Sequence, residues 1–257
     1  MNEVKNFING EYRASSGGKS FDNINPCTGE LNSAVHEATL EDVDAAVKAA
    51  RDALKGPWGK MSDEERSAIL HKVADGIDAR FDEFLAAECA DTGKPYGIAS
   101  HIDIPRGASN FRVFADAVKN FATEAFQMAT PDGKGAFNVA VRKPKGVIAV
   151  ISPWNLPLLL MTWKVGPALA CGNTVVVKPS EETPTTTSLL GEVMNEAGVP
   201  PGVFNVVNGF GPDSAGAFLT EHKGVDAITF TGETRTGEII TQAAAKGLRD
   251  VSMECGG

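Results

Sequence analysis

Residues 146–178 read GVIAVISPWNLPLLLMTWKVGPALACGNTVVVK. Two short runs in this stretch, Val147–Ile151 and Thr174–Val177, are almost entirely apolar. Such runs are typical of strands in a parallel sheet that is covered on both faces. The residues between them, Leu158–Leu169, predict a helix that connects the two strands. The stretch therefore predicts a strand–helix–strand unit.

The same alternation continues toward the end of the sequence. Five strands at a spacing of about 25 residues favour a doubly wound nucleotide-binding sheet of the α/β class. The expected fold is therefore a Rossmann-like parallel sheet. The further strands are expected at Val203–Val207, Ala227–Phe230 and Asp250–Met253. The further helices are expected at Thr185–Glu196, Ser214–Thr220 and Thr234–Ala245.

The part of the chain before this sheet is expected to form one helix after another. Thr39 and Ser62 each stand three residues before an acidic residue, which is the pattern of a capping box. A long amphipathic helix is expected over His101–Phe126, and we expect its aromatic side chains, including Phe121, to pack in the core.

Residues 128–145 have a different character. Thr130–Gly133 has turn composition, and apolar residues then alternate with polar ones from Phe137 to Arg142, as in a half-exposed strand. An isolated ribbon is not stable alone, so this one is expected to pair with another element, such as a second subunit. The chain is divided accordingly into a helical part (1–126), a β-ribbon (127–145) and a parallel-sheet part (146–257).

Composition and charge exclude several classes of protein. The chain has 257 residues and a net charge of -9, which does not suit binding to the phosphate backbone of nucleic acid. It has no apolar run long enough for a membrane helix, and its first residues do not resemble a signal peptide, so we expect a cytoplasmic protein. The four cysteines are scattered without metal-ligand spacing, which predicts free thiols and no metal.

Ligands of a doubly wound sheet bind beyond the carboxyl ends of its strands, so the loops there are the candidate site. Asn155 follows the first strand, and its amide either stabilises an oxyanion or caps the next helix. Lys178 and Glu181 follow the second strand. Either Glu181 binds a ribose and Lys178 binds the same sugar or a phosphate, or the two form a surface ion pair that contributes little to stability.

The later loops carry weaker signals. The loop around Gly211 does not fit the G-x-G-x-x-G fingerprint of dinucleotide-binding proteins. The absence of this fingerprint from the chain weakens a standard Rossmann interpretation. Gly232 precedes a helix whose N–H groups would suit a pyrophosphate, although Glu233 would repel that group unless it points away. Glu254 at the end of the fifth strand suits a general base, whereas Cys255 has no nearby His to activate it as a nucleophile.

Taken together, these loops resemble the aldehyde dehydrogenase superfamily, and within it the 2-hydroxymuconate and 2-aminomuconate semialdehyde dehydrogenases. Phe230–Gly237, which reads FTGETRTG, favours that branch. The matching motifs are Phe7–Gly10, Asn25–Gly29, Ile151–Asn155, Pro167–Asn173, Lys178–Glu181, Phe230–Gly232 and Glu254–Gly257.

The resemblance implies NAD-dependent oxidation of an aldehyde to the acid through a thioester. It implies that Asn155 stabilises the oxyanion, that Glu254 activates the hydrolytic water, and that Arg106 binds the carboxylate of a muconic semialdehyde. It also implies that Glu181 selects NAD over NADP, and that family sheets bind NAD without the glycine fingerprint. The implied cofactor-binding residues are Ile151, Ser152, Pro153, Trp154, Lys178, Ser180, Glu181, Gly211, Phe230, Thr231, Gly232 and Glu233.

The resemblance also implies a homo-dimer or homo-tetramer in the full-length form, assembled through the ribbon. The nucleophilic cysteine of the family is expected in a catalytic domain after Gly257, so Cys255 is interpreted as a small apolar filler. Two hypotheses follow. Either the chain is part of a longer, active aldehyde dehydrogenase, or it is an inactive nucleotide-binding or assembly module.

Overall fold

The computed structural model describes residues 3–256. The strands are β1 (Glu3–Val4), β2 (Asn6–Ile8), β3 (Glu11–Arg13), β4 (Ser20–Ile24), β5 (Leu31–His36), β6 (Ala125–Met128), β7 (Ala136–Val139), β8 (Val147–Ile151), β9 (Thr174–Lys178), β10 (Phe204–Val206), β11 (Ala227–Gly232) and β12 (Asp250–Cys255). The α-helices are α1 (Leu40–Ala53), α2 (Asp63–Ala79), α3 (Phe81–Thr92), α4 (Tyr96–Ile98), α5 (Ile104–Lys119), α6 (Pro157–Ala170), α7 (Thr185–Glu196), α8 (Ala215–Glu221) and α9 (Thr234–Ala245).

The main sheet has seven strands in the order β12-β11-β8-β9-β10-β2-β3. The strands from β12 to β10 are parallel, and β2 and β3 are antiparallel additions at one edge. The parallel part of this sheet begins in the chain at β8 and then extends first toward β10 and later toward β12, so the point where the strand order reverses lies beside β8. The predicted doubly wound α/β fold is therefore confirmed.

Both faces of the central strands are buried, which explains their apolar composition. Side chains alternate between the faces of a strand. Ile148 and Val150 pack on one face with residues of α2, α3, α5, α6 and α7, whereas Val147, Ala149 and Ile151 pack on the other with residues of α1, α8 and α9. The helices of the two faces therefore enclose the sheet from opposite sides.

The expectation of a helical segment up to residue 126 is wrong for the first part of the chain, which forms strands β1 to β5. β2 and β3 form a hairpin whose turn residues, Asn9 and Gly10, both have positive φ (56° and 82°). An Asn-Gly pair is a strong hairpin signal, so the sequence contained this information. β2 then extends the main sheet by pairing with β10, a contact between distant residues that local patterns do not reveal.

The helices that follow begin as predicted. Thr39 and Ser62 form capping boxes at the starts of α1 and α2. However, α5 ends at Lys119, and the prediction that Phe121 packs in the core is wrong, because 63% of its surface is exposed. Asn120 ends the helix, and its side-chain amide donates to the Asp116 carbonyl. The Arg142 guanidinium lies 4.1 Å from the centre of the Phe121 ring.

The ribbon is present as an antiparallel pair, β6 and β7. A turn joins the strands, in which the Gly133 N–H donates to the Thr130 carbonyl at 2.9 Å. In the part of the chain that is described, the ribbon is a separate two-stranded sheet. It exposes the large apolar side chains of Phe126, Met128, Phe137 and Val139.

Residues 3–256 lack two other features. None of the helices there is long and apolar enough to cross a membrane. The same residues contain no group of His, Cys, Asp and Glu side chains arranged to hold a metal ion.

Candidate functional site

The candidate site lies where the parallel strands end, and the strand register brings its loops together. Ile151 pairs with Lys178 on one side and with Phe230 on the other. Thr231 pairs in turn with Glu254. Four sequence segments that are far apart in the chain therefore meet at one edge of the sheet.

The register also sorts the side chains by face. Phe230 packs among residues of the face that carries α8 and α9. Because alternate residues point to opposite faces, Thr229, Thr231 and Glu254 lie toward the face that carries α6. By the same alternation, Lys178 lies on the α9 side with Ile151. The candidate base and the candidate ribose-binding residues therefore occupy opposite faces of the same edge.

Asn155 lies in the loop between β8 and α6. The loop is anchored where the Ser152 N–H donates to the Lys178 carbonyl at 3.3 Å. The helix begins at Pro157, and the residue at its N-cap position is Leu156, with no side-chain capping bond. Asn155 is exposed and does not cap the helix, so its amide is left for another partner. Trp154 beside it is 62% exposed.

Lys178 and Glu181 form an ion pair at the end of β9. Lys178 Nζ donates to Glu181 Oε2 at 2.9 Å, and Lys178 is 5% exposed. Burial alone would raise the pKa of the Glu181 carboxyl, but the charge and the hydrogen bond of Lys178 lower it below its ordinary value. Glu181 is therefore an ionised hydrogen-bond acceptor held by the buried Lys178 side chain. The pair thus differs from the exposed surface ion pair that was the alternative expectation.

Ser180 lies inside the Lys178–Glu181 turn. It is 8% exposed, and its hydroxyl accepts the Glu182 N–H at 3.3 Å. Gly211 lies farther away, in the loop after β10, where its carbonyl accepts the Ala217 N–H at 2.9 Å. Ser180 is thus part of the loop that holds the Lys178–Glu181 ion pair. Gly211 follows β10, which lies two positions away from β8 in the order of the sheet.

The junction of β11 and α9 has the features of an anion site. Glu233 is the N-cap residue of α9, but it is exposed and makes no side-chain capping bond, so its carboxylate does not cover the first N–H groups. Gly232 is tightly packed, because an added Cβ would lie 2.6 Å from the Phe230 ring. Within residues 3–256, the buried hydroxyl of Thr231 has no hydrogen-bond partner.

Lys164 on α6 is a candidate functional residue that the sequence analysis missed. It is 6% exposed, and its ammonium lies 3.3 Å from Thr229 Oγ1. Burial lowers the pKa of Lys164, and the negative charge of Glu254 opposes that shift. A lone lysine within the apolar stretch of α6 was the available signal, because lysine is rarely buried without a partner.

Glu254 is exposed on β12, at the edge of the described sheet. The next residue, Cys255, points to the opposite face, because an added Cβ on Gly237 of α9 would lie 2.8 Å from its Sγ. Cys255 is thus directed away from Lys164 and Thr229. It is exposed, which differs from the expected role of a small apolar filler. Gly257, the last residue of that sequence motif, lies outside the described residues.

Arg106 lies on the first turn of α5 and is exposed. The next residue, Gly107, faces the first turn of α6, where an added Cβ would lie 2.7 Å from Leu158 Cδ2. Only a residue without a side chain allows the two helices to approach so closely. Arg106 therefore belongs to the turn of α5 that packs against the start of α6.

The chain was compared with known proteins. It is 74% identical over its full length to a 2-hydroxymuconic semialdehyde dehydrogenase of Pseudomonas sp. (strain CF600), covering 53% of that protein. It is 53% identical to a 2-aminomuconic 6-semialdehyde dehydrogenase of Pseudomonas sp., covering 100% of this chain and 52% of that protein. The chain thus spans about half the length of the curated relatives it matches.

Solved structures agree with these relatives. An NAD+ complex of an aldehyde dehydrogenase from Bacillus cereus superposes with a TM-score of 0.94 at 41% identity, covering 100% of this chain and 51% of that one. The model of the aldehyde dehydrogenase family matches residues 12–257. The resemblance seen in the sequence motifs is confirmed, and the chain belongs to the aldehyde dehydrogenase family.

Proposed function

We propose that this chain supplies the NAD site, the oxyanion-binding amide and the general base of an enzyme that oxidises a muconic semialdehyde to the carboxylic acid. The observation that carries the proposal is the strand register that places the Asn155 loop, Lys178 and Glu254 at one sheet edge. The 74% identity to a 2-hydroxymuconic semialdehyde dehydrogenase supports the choice of substrate class.

The residues at this edge fit NAD. The ionised Glu181 would accept hydrogen bonds from ribose hydroxyls and would repel a 2′-phosphate, which favours NAD over NADP. The uncapped N–H groups at the start of α9 would face the pyrophosphate, and the Thr231 hydroxyl, which has no partner within residues 3–256, offers a donor on the other face of β11. When bound, NAD accepts the hydride removed from the substrate carbon.

Asn155 is assigned to the first chemical stage. As the resemblance implies, a thiolate in the segment after residue 257 attacks the aldehyde carbon, and the carbonyl oxygen gains negative charge. The exposed amide of Asn155 would donate to that oxygen. A donor aimed at a developing oxyanion stabilises the transition state more than the ground state, so it raises the rate of attack.

Glu254 is assigned to the second stage, hydrolysis of the thioester. Its carboxylate would take a proton from water as the water oxygen bonds to the acyl carbon. The carbon–sulfur bond then breaks, the thiolate leaves, and the acid is released. Lys164 lies on the same face of the sheet as Glu254, and the charge of Glu254 raises the pKa of Lys164 against the lowering effect of burial.

Arg106 is assigned to binding of the substrate carboxylate. A muconic semialdehyde carries a carboxylate distant from its aldehyde, and the exposed guanidinium of Arg106, which precedes Gly107 on α5, would bind that carboxylate in a bidentate manner. Binding the carboxylate, which is remote from the aldehyde, would orient the aldehyde group toward the Asn155 amide.

The proposal extends to assembly and compartment. The apolar side chains exposed on the ribbon would be covered in a homo-dimer or homo-tetramer of the complete protein. The four cysteines are unpaired, which suits a reducing compartment, and we place the enzyme in the cytoplasm.

The test is an assay of the complete enzyme that contains this chain, with 2-hydroxymuconic semialdehyde and either NAD or NADP. We expect one NADH per acid formed, and much weaker activity with NADP. A purified enzyme that binds NAD but does not oxidise this aldehyde would contradict the substrate assignment. A chain that binds no NAD would contradict the proposal as a whole and would favour an assembly module.

A further inference from the structure

The first turn of α6, directly after the Asn155 loop, is held by buried polar side chains from two other helices. The Leu158 N–H donates to Glu88 Oε2 of α3 at 3.4 Å. The Asn110 side chain of α5 donates to the Leu159 carbonyl at 2.9 Å and lies 3.0 Å from Thr162 Oγ1. Glu88 and Asn110 are 0% and 1% exposed.

These contacts replace the usual cap of the helix. Leu156 at the N-cap position offers no side-chain acceptor, and Pro157 has no N–H group. The N–H groups at a helix start need acceptors, and a carboxyl oxygen can accept whether or not the acid is ionised. Glu88 supplies that carboxyl group from a different helix.

A buried cluster surrounds Glu88. Lys94 Nζ lies 4.0 Å from Glu88 Oε1 and forms a salt bridge with Asp103, which is fully buried. Burial and the charges of Asp103 and Asp91 raise the pKa of Glu88 to about 8, while Lys94 and the Leu158 N–H lower it. Burying ionisable groups costs free energy unless each of them is paired. A buried cluster of this kind therefore costs more free energy than apolar packing between the same helices would.

The turn held by this cluster is also the turn against which α5 packs. Gly107 contacts Leu158, and Arg106 precedes it. Asn110 lies on the next turn of the same helix and binds the Leu159 carbonyl. The same contacts thus fix α5, which carries Arg106, and the start of α6, which follows Asn155.

We propose that Glu88 and Asn110 are positioning residues that fix the first turn of α6, so that the Asn155 amide and the Arg106 guanidinium keep the spacing required by one substrate molecule. This inference rests on the proposed function. Neither residue touches the substrate, and both act through the backbone of Leu158 and Leu159.

The test uses the complete enzyme and the variants Asn110→Ala, Glu88→Leu and Glu88→Gln. Leucine has no acceptor for the Leu158 N–H, whereas glutamine keeps one and resembles the neutral acid. We expect kcat to fall about tenfold or more in Asn110→Ala and Glu88→Leu, because small misplacements of catalytic groups are costly. We expect Glu88→Gln to keep most of the kcat of the unmodified enzyme. In all three variants, the Kd for NAD should change much less than kcat. Asp82→Asn, an exposed change on the same helix, is the matched control.

Deuterium exchange of residues 156–163 gives a second readout that does not depend on activity. Faster exchange there in Asn110→Ala, with the rest of the protein protected, supports the inference. Unchanged kcat and unchanged exchange in Asn110→Ala and Glu88→Leu would overturn it. So would global loss of protection in Asn110→Ala, which would indicate a role in folding only.

Asn155→Ala separates this inference from the proposed function. If Asn155→Ala lowers kcat but the Asn110 and Glu88 variants do not, the positioning role alone is wrong. If Asn155→Ala leaves kcat unchanged, the oxyanion assignment is wrong, and a positioning role exerted through Asn155 is wrong with it.

Discussion

Lys164 of α6 and Glu254 of the edge strand β12 lie on the same face of the sheet, where Lys164 Nζ is 3.3 Å from Thr229 Oγ1 of the neighbouring strand β11. Burial lowers the pKa of the Lys164 ammonium, and the charge of Glu254 opposes that shift. The pair lies on the face of the sheet that carries α6, whereas Lys178 and Glu181 lie toward α9. The register of the parallel strands thus separates the proposed hydrolytic base from the proposed ribose-binding pair.

Glu254→Gln in the complete enzyme is expected to separate the two chemical stages. Glutamine cannot take a proton from water, so thioester hydrolysis slows, while the earlier hydride transfer still occurs once per site. Rapid-mixing measurements should show a burst of NADH followed by turnover reduced about 100-fold or more. Steady-state turnover equal to that of the unmodified enzyme would remove Glu254 from the hydrolytic role.

Asn155→Ala is expected to slow the first stage. Loss of one oxyanion donor typically lowers kcat about 100- to 1,000-fold. The Kd for NAD should stay within about threefold, because Lys178 and Glu181 are untouched. Stopped-flow kinetics would show a slower burst of NADH, in contrast to Glu254→Gln. An unchanged burst rate would show that another group stabilises the oxyanion.

Glu181→Gln is expected to weaken NAD binding about tenfold, because a charge-assisted hydrogen bond to the ribose becomes a neutral one. It should also narrow the preference for NAD over NADP, since the repulsion of a 2′-phosphate is lost. Calorimetric titration of the purified chain with both cofactors measures both effects. Glu182→Gln is the matched control, because the adjacent carboxylate is exposed. Equal losses in the two variants would contradict a specific ribose contact.

The pH dependence of stability should report on Glu88. An ordinary Glu loses its proton near 4.5, whereas folded Glu88 keeps it until about pH 8. Between these values the folded state binds more protons than the unfolded state, so the free energy of unfolding falls as pH rises. Asp91, with a pKa raised by burial to about 6, adds to the fall only in the lower part of this range.

Thermal or urea unfolding between pH 6 and 8 measures the contribution of Glu88. We expect stability to decrease with pH in the unmodified chain and to vary much less in Glu88→Gln, which cannot ionise. Parallel pH profiles for the two proteins would contradict the raised pKa of Glu88.

Phe137→Asp is expected to disrupt assembly of the complete enzyme. Phe137 on the ribbon is 67% exposed, and burial of such a ring at an interface contributes about 2 kcal/mol. Size-exclusion chromatography with light scattering should show a smaller species than in the unmodified enzyme. Lys134→Asp, at the nearby turn, introduces a negative charge without removing an apolar group, and it should leave the mass unchanged. An unchanged mass in Phe137→Asp would show that this side chain lies outside the interface.

Much of the second half of the chain was predictable. The predicted strand Val147–Ile151 and the predicted helices Thr185–Glu196 and Thr234–Ala245 coincide with the observed bounds. Local signals were sufficient here, because strands buried on both faces must be apolar throughout and helices carry a 3.6-residue period. The ends of the long helix were less predictable, since α5 stops at Lys119 where Asn120 caps it.

Local sequence patterns were sufficient to predict the alternation of strands and helices, the loops that hold the candidate site, and the family. These depend on short apolar runs and motifs in fixed order. Long-range contacts were needed to show that β2 extends the main sheet, that Lys164 binds Thr229 on the face of the sheet that carries Glu254, and that Glu88 and Asn110 hold the turn after Asn155. The physical reason is that a buried polar side chain is defined by its partners, and these partners come from segments distant in the chain.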